Sequence, residues 1–170
     1  KIKAERISKA IATFGRTLKT QETNYDLYWK GDKSAISSSA LRGMNLFFGK
    51  AKCSICHNGP RFTDDHFHNI GVSFTQTAEK DVGRNKVTGE LFHLRAFKTP
   101  GLLYVSRTAP YMHDGSLDTL EEVVEFYDLG GDDDPLKSPF ISPIGLTTIE
   151  KQDIVEFMKA LDRKESSYEK

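Results

Sequence analysis

The sequence predicts a mainly α-helical domain in which helices and long irregular segments surround one bound group. Three observations support this fold class. Several segments carry apolar residues at helical spacing, two segments begin with capping boxes, and residues 58–107 have no sustained helical period. The chain has 170 residues, which suffices for one compact domain with a real core. A long irregular stretch in such a domain usually has a function or wraps a ligand.

Composition and charge exclude several classes of protein. Lys plus Arg and Asp plus Glu both number 24, so the formal net charge is zero, and the basic face that nucleic-acid binding requires is not indicated. The longest apolar runs, such as residues 46–48, are only a few residues long, whereas a membrane-spanning helix needs about 20. We therefore expect no nucleic-acid partner and no membrane span.

The first half of the chain predicts two helices with a loop between them. Apolar residues at three-, four- and five-residue steps predict an amphipathic helix over residues 2–19. The polar and aromatic segment 20–36 predicts a loop. The serines at 37–39 offer N-caps for a second helix that ends near Gly49. The chain starts with Lys1 rather than Met, and we expect a mature, cut or truncated product.

The second half predicts two more helices, each opened by a capping box. Thr-x-x-Glu occurs at residues 119–122 and again at 147–150, and Gly-Gly at 130–131 ends the first of these helices. The three aspartates at 132–134 predict a solvated loop, with calcium binding as the alternative. No internal repeat is evident.

The motif that carries chemistry is Cys53-Ser54-Ile55-Cys56-His57, which has the form C-x-x-C-H. Two thiols at this spacing add to the two vinyl groups of a haem, and the adjacent His becomes the proximal ligand of the iron. The motif directly follows a predicted helix, which would hold the haem against a rigid element. It therefore predicts one covalent c-type haem, and both cysteines are consumed by thioether bonds.

Two other interpretations of the cysteine pair fit the sequence less well. A structural zinc site needs two more cysteines or a well-spaced histidine pair, and the i, i+2 spacing of His66 and His68 suits zinc poorly. A thioredoxin-type dithiol needs a βαβ context, which the sequence does not indicate. The haem interpretation implies a cytochrome c-like domain over residues 1–170, with 1–36 leading in and 37–165 forming the haem-binding core. C-type haems are attached outside the cytoplasm, so we expect a periplasmic protein.

The second axial ligand of the iron is not settled by the residues alone. The candidates beside His57 are Met44, Met112, Met158, Tyr127 and the remaining histidines. Met112 is favoured by position, because it lies in an irregular segment downstream of the motif. Met44 and Met158 lie on apolar helix faces, where Met usually packs in the core.

Six segments resemble the bacterial di-haem cytochrome c peroxidase and MauG family. The most specific is 106–115, which reads Ser-Arg-Thr-Ala-Pro-Tyr-Met-His-Asp-Gly, and the others are 13–18, 62–64, 67–72, 119–128 and 130–131. The resemblance covers nearly the whole chain, but only the C-terminal, electron-transfer half of that family. It implies that the complete protein has a second haem, on an N-terminal domain or a separate subunit, where hydrogen peroxide reacts.

The resemblance also changes the expected distal ligand. In the peroxidases the position of Met112 is commonly Phe, and the distal Met lies on the following helix. Counting from Pro110 without gaps, that position is Tyr127 here, and members that resemble MauG place an iron-binding Tyr there. The resemblance therefore favours Tyr127 over Met112. A phenolate is hard and anionic and favours Fe(III), whereas a thioether favours Fe(II).

Further site residues follow from the resemblance alone. It implies a calcium ion at the domain junction, bound by the backbone carbonyls of Thr108 and Pro110 together with an Asn of the N-terminal half. His113 lies near the inter-haem region in that family. From the residues themselves, His113 and His68 are better explained as structural, with a haem propionate as the alternative contact of His68.

These observations predict electron transfer through a c-type haem as part of a di-haem peroxidase or MauG-like oxidoreductase. We expect no catalytic residue in this chain, because peroxide would react at the partner haem. The expected partners are the N-terminal haem domain or subunit and an external electron donor or substrate protein. The alternative is a stand-alone single-haem electron-transfer cytochrome c.

Overall fold

The computed structural model describes residues 2–18, 21–72 and 81–163. Most of the regular structure is helical, which confirms the predicted fold class. In chain order the helices are α1 Ala4–Gly15, α2 Asn24–Trp29, α3 Ser38–Phe48, α4 Asn85–Thr88, α5 Leu120–Leu129 and α6 Thr148–Ala160. Single 3₁₀ turns occur at Cys53–Ile55, Leu91–His93 and Val105–Arg107. Within the described ranges, no helix has the length and apolar character needed to cross a bilayer.

The core forms where α3 packs against α6. Gly43 on α3 faces the backbone of Asp153 on α6 so closely that a Cβ would overlap the Asp153 carbonyl. Phe47 and Phe157, one from each helix, are fully buried, and their rings meet edge to face with centroids 5.2 Å apart. Removing such apolar surface from water supplies the main driving force for folding.

The predicted helix ends are confirmed. Ser37 is the N-cap of α3, and its side chain accepts a hydrogen bond from the Ala40 backbone N–H. Both capping boxes form, since the Thr119 and Thr147 hydroxyls each accept from the backbone N–H three residues later and the glutamate there accepts in return. Gly130 ends α5 with a φ of +86°, a left-handed conformation that favours glycine.

The loop predicted for residues 20–36 is wrong in its middle. Thr23 and Asp26 form a further capping box that opens the six-residue helix α2. Thr23 is fully buried, and the Tyr25 ring packs edge to face on Phe62 and Phe157. The sequence predicted a loop because a helix of six residues is too short to show a sustained helical period.

The first helix forms as predicted but is shorter, and residue 19 lies outside the described ranges. α1 spans Ala4–Gly15, and every residue from 2 to 18 is exposed. Its apolar side chains therefore do not contribute to the core formed by the rest of the chain. Domain boundaries within 1–170 remain a prediction.

The described part of the irregular segment 58–107 contains the four-residue helix α4 and one short antiparallel pair of strands, β1 Phe67–His68 and β2 Phe97–Lys98. The expectation of a solvated loop at 132–134 is wrong for Asp134. Its carboxylate is buried and pairs with Arg95 through two hydrogen bonds of 2.6 and 2.7 Å, and it also accepts one from Asn69. Asp134 therefore joins distant irregular segments to one another.

Candidate haem site

A cavity of about 450 Å³ lies in the middle of the domain, and its walls are mainly apolar. Cavities of this size in proteins commonly hold organic ligands or cofactors. It is lined by the motif residues Cys53, Cys56 and His57, and also by Met112 and Tyr127. The fold thus brings the predicted attachment residues to one cavity, and the candidate distal ligands that line the same cavity are Met112, Tyr127, Met158, His68 and His113.

The motif residues are held by a tight turn of the backbone. Lys52, four residues beyond the end of α3, has a φ of +57° and is the N-cap of the 3₁₀ turn Cys53–Ile55. The carbonyl oxygen of Cys53 then accepts from the backbone N–H groups of Cys56 at 3.3 Å and His57 at 2.9 Å. This turn directs the two thiols and the imidazole toward the same cavity.

Both thiols are protonated at neutral pH before any reaction. Burial raises the pKa of Cys53 to about 12 and that of Cys56 to about 11. A dithiol redox site works through a thiol whose pKa is lowered. The environment of this pair therefore argues against the thioredoxin-type interpretation.

His57 is oriented by a backbone carbonyl. Its Nδ1 lies 2.9 Å from the carbonyl oxygen of Phe62, and since a carbonyl can only accept, Nδ1 is the nitrogen that carries the proton. Nε2 is then left with its lone pair for a metal. Burial lowers the pKa of His57, which keeps the ring neutral, as iron binding requires.

The contact between His57 and the Phe62 carbonyl is a feature of the site that the sequence did not predict. Phe62 has a φ of +53°, an uncommon conformation for a bulky residue, and its carbonyl is the one that meets His57. The sequence carries no signal for this contact, because every residue type offers the same carbonyl.

Tyr127 reaches the cavity from α5. Burial raises the pKa of its hydroxyl well above the ordinary value. A phenolate in this place is therefore unstable unless a cation stands next to it. A ferric iron would supply such a cation, so the surroundings of Tyr127 fit its predicted role.

Met112 lines the same cavity in a strained position. Met112 has a φ of +69°. It follows Tyr111, which forms an isolated β-bridge with Leu117, and it precedes the exposed His113. The His113 ring stacks on Phe97 with centroids 3.5 Å apart. Met44, by contrast, is buried in the core beside α6, as its helical position predicted.

His68 approaches the motif more closely than its spacing suggested. Single ligand atoms of Cys56, Asp64 and His68 all lie within 4.8 Å of one another. His68 Nε2 is 2.7 Å from the Asp64 carboxylate. Because this group shares Cys56 with the C-x-x-C-H motif, metal binding there and thioether formation exclude each other.

The residues expected at a calcium site lie apart from the cavity. Thr108 and Pro110 are exposed and follow the 3₁₀ turn Val105–Arg107. Neither is among the residues that line the cavity. Calcium binding by their carbonyls stays a prediction.

Taken together, the donor set fits a c-type haem. Two thiols, an imidazole with a fixed protonation state and a half-buried phenol surround a large apolar space. A porphyrin has large apolar faces, and its iron takes nitrogen and phenolate ligands.

Comparison with known proteins gives a consistent result. The chain is 42% identical over 165 residues to the methylamine utilization protein MauG of Methylorubrum extorquens, an alignment that covers 94% of this chain and 45% of that protein. It is 37% identical to the cytochrome-c peroxidase IdrP1 of Denitromonas iodatirespirans, covering 92% of this chain and 49% of that protein. The chain thus spans about half the length of these curated relatives. No family model matches it.

A solved structure supports the same assignment. The crystal structure of a MauG-like protein associated with microbial copper homeostasis superimposes with a TM-score of 0.84 at 32% identity, covering 96% of this chain and 58% of that one. From these relatives and the cavity together, the chain belongs to the family of di-haem cytochrome c peroxidases and MauG.

Proposed function

We propose that this chain carries one c-type haem and forms the electron-transfer half of a di-haem peroxidase or MauG-like oxidase. Hydrogen peroxide would be reduced at a partner haem outside the chain. The observation that carries the proposal is that one cavity is lined by His57, Tyr127 and both motif cysteines. Two protein ligands would fill both axial positions and leave none for peroxide.

Each of these residues has a distinct task. Cys53 and Cys56 would hold the haem by thioether bonds, and His57 would bind the iron through Nε2 while its Nδ1 stays anchored to the Phe62 carbonyl. Tyr127 would bind the iron as a phenolate. When bound, the haem supplies one-electron redox chemistry, and the apolar walls keep water from its faces.

The Tyr127 ligand also determines which redox range the site serves. An anionic oxygen ligand stabilises Fe(III) relative to Fe(II) and lowers the reduction potential, whereas a Met ligand raises it. A site of the first kind suits exchange of oxidising equivalents with a neighbouring haem better than storage of electrons at high potential.

Several features of the complete protein belong to the same proposal. Its partners would be an N-terminal haem domain or subunit and an external electron donor or substrate protein. Covalent haem attachment implies a periplasmic location. Calcium bound by the carbonyls of Thr108 and Pro110 would lie at the junction with the partner domain, where an Asn of that domain completes the site.

A second function is favoured by one observation, which is that Met112 also lines the cavity. With His57 and Met112 as ligands, the chain would be a stand-alone electron-transfer cytochrome c of higher potential.

Peroxide turnover by the purified haem-loaded chain tests the division of labour. If His57 and Tyr127 both hold the iron, the 170-residue chain should show little peroxidase activity, while the intact gene product should contain a second C-x-x-C-H motif and turn over peroxide. The measurements are haem count by intact mass and peroxide consumption with a reduced donor. Rapid turnover by the single-haem chain would move the catalytic site into this chain.

A further inference from the structure

A path of aromatic rings leads from the haem cavity to the protein surface at α2. Phe47 lines the cavity, and its ring centroid lies 6.0 Å from that of Phe62. The Tyr25 ring packs edge to face on Phe62 at 5.3 Å, and the Trp29 ring packs edge to face on Tyr25 at 6.2 Å. Trp29 is 61% exposed. Rings in contact therefore connect the wall of the cavity to solvent.

The same path reaches the expected proximal ligand of the iron. The carbonyl oxygen of Phe62 lies 2.9 Å from Nδ1 of His57. Phe62 is also buried, so its atoms are closely packed between His57 and Tyr25. Electrons tunnel faster through hydrogen bonds and packed atoms than through gaps. Phe62 thus provides a direct connection between the iron ligand and the first oxidisable ring of the path.

The outer rings of the path differ from the inner ones in how readily they lose an electron. Indole and phenol rings are oxidised far more easily than the benzene ring of Phe, because a nitrogen or oxygen lone pair raises the energy of their outermost electrons. Phe47 and Phe62 can therefore only transmit an electron, whereas Tyr25 and Trp29 can also hold an oxidising equivalent. Trp29 is the single Trp of the chain.

Two other aromatic routes from the cavity end on side chains that resist oxidation. The ring of Phe47 also contacts that of Phe48, which is 5.4 Å away and belongs to a residue 48% exposed. Phe97, which lines the cavity, stacks on the exposed His113 at 3.5 Å. Neither a benzene ring nor an imidazole gives up an electron as readily as indole. Of these three routes, the one through α2 can bring an oxidising equivalent to the surface.

The surroundings of Trp29 determine which oxidised form it would take. The ammonium group of Lys33 lies 5.8 Å from the centroid of the Trp29 ring, so a positive charge on the indole would be repelled. Because the side chain is exposed, its N–H proton can be released to water. Loss of this proton leaves a neutral radical and removes the repulsion.

We propose that Trp29 carries oxidising equivalents from the haem site to the surface of α2. The Trp29 indole gives one electron to the haem site through Tyr25 and Phe62 and its N–H proton to water, and the resulting radical takes one electron and one proton from an external reductant. Ascorbate, an enediol, serves as the probe for that reductant. Hydrogen peroxide takes up two electrons and two protons to give two waters, so two such transfers balance one peroxide. The inference rests on the proposed function, which supplies peroxide as the oxidant.

Oxidation of Trp29 by peroxide without a reductant tests the proposal. The intact gene product, loaded with haem, is treated with hydrogen peroxide; peptide mass spectrometry quantifies oxidised Trp29, and electron paramagnetic resonance follows the radical. Trp29→Phe keeps an aromatic ring in place but removes the indole. The control combines Trp29→Phe with Val87→Trp, because Val87 is 74% exposed and lies on α4, which is not part of the path.

We expect Trp oxidation at position 29 to exceed that at position 87 many-fold, and ascorbate should suppress it. In Trp29→Phe the radical signal should be lost or much weaker, and the haem spectrum should return to its ferric form many-fold more slowly after peroxide. Tyr25→Leu, which interrupts the path, should slow this return while Trp29 stays in place.

Equal oxidation at positions 29 and 87 overturns the proposal, because exposure alone would then explain it. A haem spectrum that returns at the same rate in Trp29→Phe and in the unmutated protein overturns it as well. If peroxide leaves the haem spectrum of the intact protein unchanged, the proposed function fails together with this inference. The haem spectrum recorded in the same samples therefore distinguishes the two failures.

Discussion

The side chain of Tyr127 lies in surroundings where its ionised form, the phenolate, needs a cation beside it. Burial raises the pKa of Tyr127, so the phenolate would form only when paired with a metal. The phenolate of Tyr127 and a bound ferric iron would therefore stabilise one another. This makes Tyr127 the residue at which a substitution separates the two proposed functions.

We expect Tyr127→Phe to alter the ferric absorption spectrum and raise the reduction potential, because the anionic ligand that stabilises Fe(III) is lost. Met112→Leu should leave both unchanged. The unmutated protein should also lack the weak far-red sulfur-to-iron band of Met ligation. A spectrum that responds to Met112→Leu and is silent to Tyr127→Phe would instead support the stand-alone cytochrome.

Asp134 offers a test of stability and pH. Burial alone would raise its pKa, but hydrogen bonds from Arg95 and Asn69 lower it from 3.8 to about 2. A lowered folded-state pKa stabilises the fold above the unfolded value, and this contribution is lost as pH falls from about 4 to about 2. Its size at neutral pH is about 2 kcal/mol.

Asp134→Asn should therefore lower the free energy of unfolding by about 2 kcal/mol at pH 7, measured by denaturant titration. The difference from the unmutated chain should shrink as pH falls below about 4. Asp133→Asn is the control, because Asp133 is exposed. Equal effects of the two substitutions would show that the Arg95 pair does not stabilise the fold.

The roles of single residues could be predicted from the sequence alone only where those residues lie next to one another in one motif. Cys53, Cys56 and His57 form one motif that can be read without the fold. Tyr127 could be predicted only from the resemblance, because it lies on α5, far from the motif in sequence. The role of Asp134 was missed, because its partners Arg95 and Asn69 are distant in sequence and only the fold brings them together.

Among the elements, the pair α3 and α6 determines where the motif lies. α3 leads directly into the turn at Cys53, and α6 covers the same core. Their close approach depends on the absence of a side chain at Gly43, where a Cβ would overlap the Asp153 carbonyl. Backbone atoms of a helix cannot yield as a flexible side chain can, so the helices must separate to admit even a methyl group.

Gly43→Ala should accordingly destabilise the protein by about 3 kcal/mol, despite the higher helix propensity of Ala. Thermal unfolding followed by far-UV circular dichroism measures the loss. Gly15→Ala in α1 is the matched control, since nothing lies within 4 Å of its Cβ, and it should be neutral or slightly stabilising. If Gly43→Ala were as harmless as Gly15→Ala, the described packing of α3 on α6 would be incorrect.

Element prediction succeeded where local chemistry is sufficient. The capping boxes at Thr119 and Thr147 marked helix starts correctly, because both hydrogen bonds of each box are local. It failed for α2, a helix of six residues. So short a helix is marginal by itself and depends on Tyr25 packing onto Phe62 and Phe157, which are remote in sequence.

For the whole molecule, the cavity connects elements that are distant in sequence. Its walls come from the motif turn, from α5 and α6 and from the irregular segments that include Thr99 and Ile144. Apolar walls lose contacts when the space between them is unfilled. A group that binds the folded form and not the unfolded one stabilises the fold, so haem attachment and folding should be coupled.

Covalent attachment is the most direct test at this scale. Thioether bonds survive denaturation, so haem should stay with the chain in a denaturing gel and resist extraction into acid-acetone. Replacing both thiols, by Cys53→Ala with Cys56→Ala, should abolish retention and reduce the yield of folded protein, because the apolar walls of the cavity then lose their covalently held partner. Ser54→Ala, between the two cysteines, should keep the haem. Extraction of haem from the unmutated chain would show that Cys53 and Cys56 do not attach it, and the dithiol or metal-binding interpretations of the motif would then have to be reconsidered.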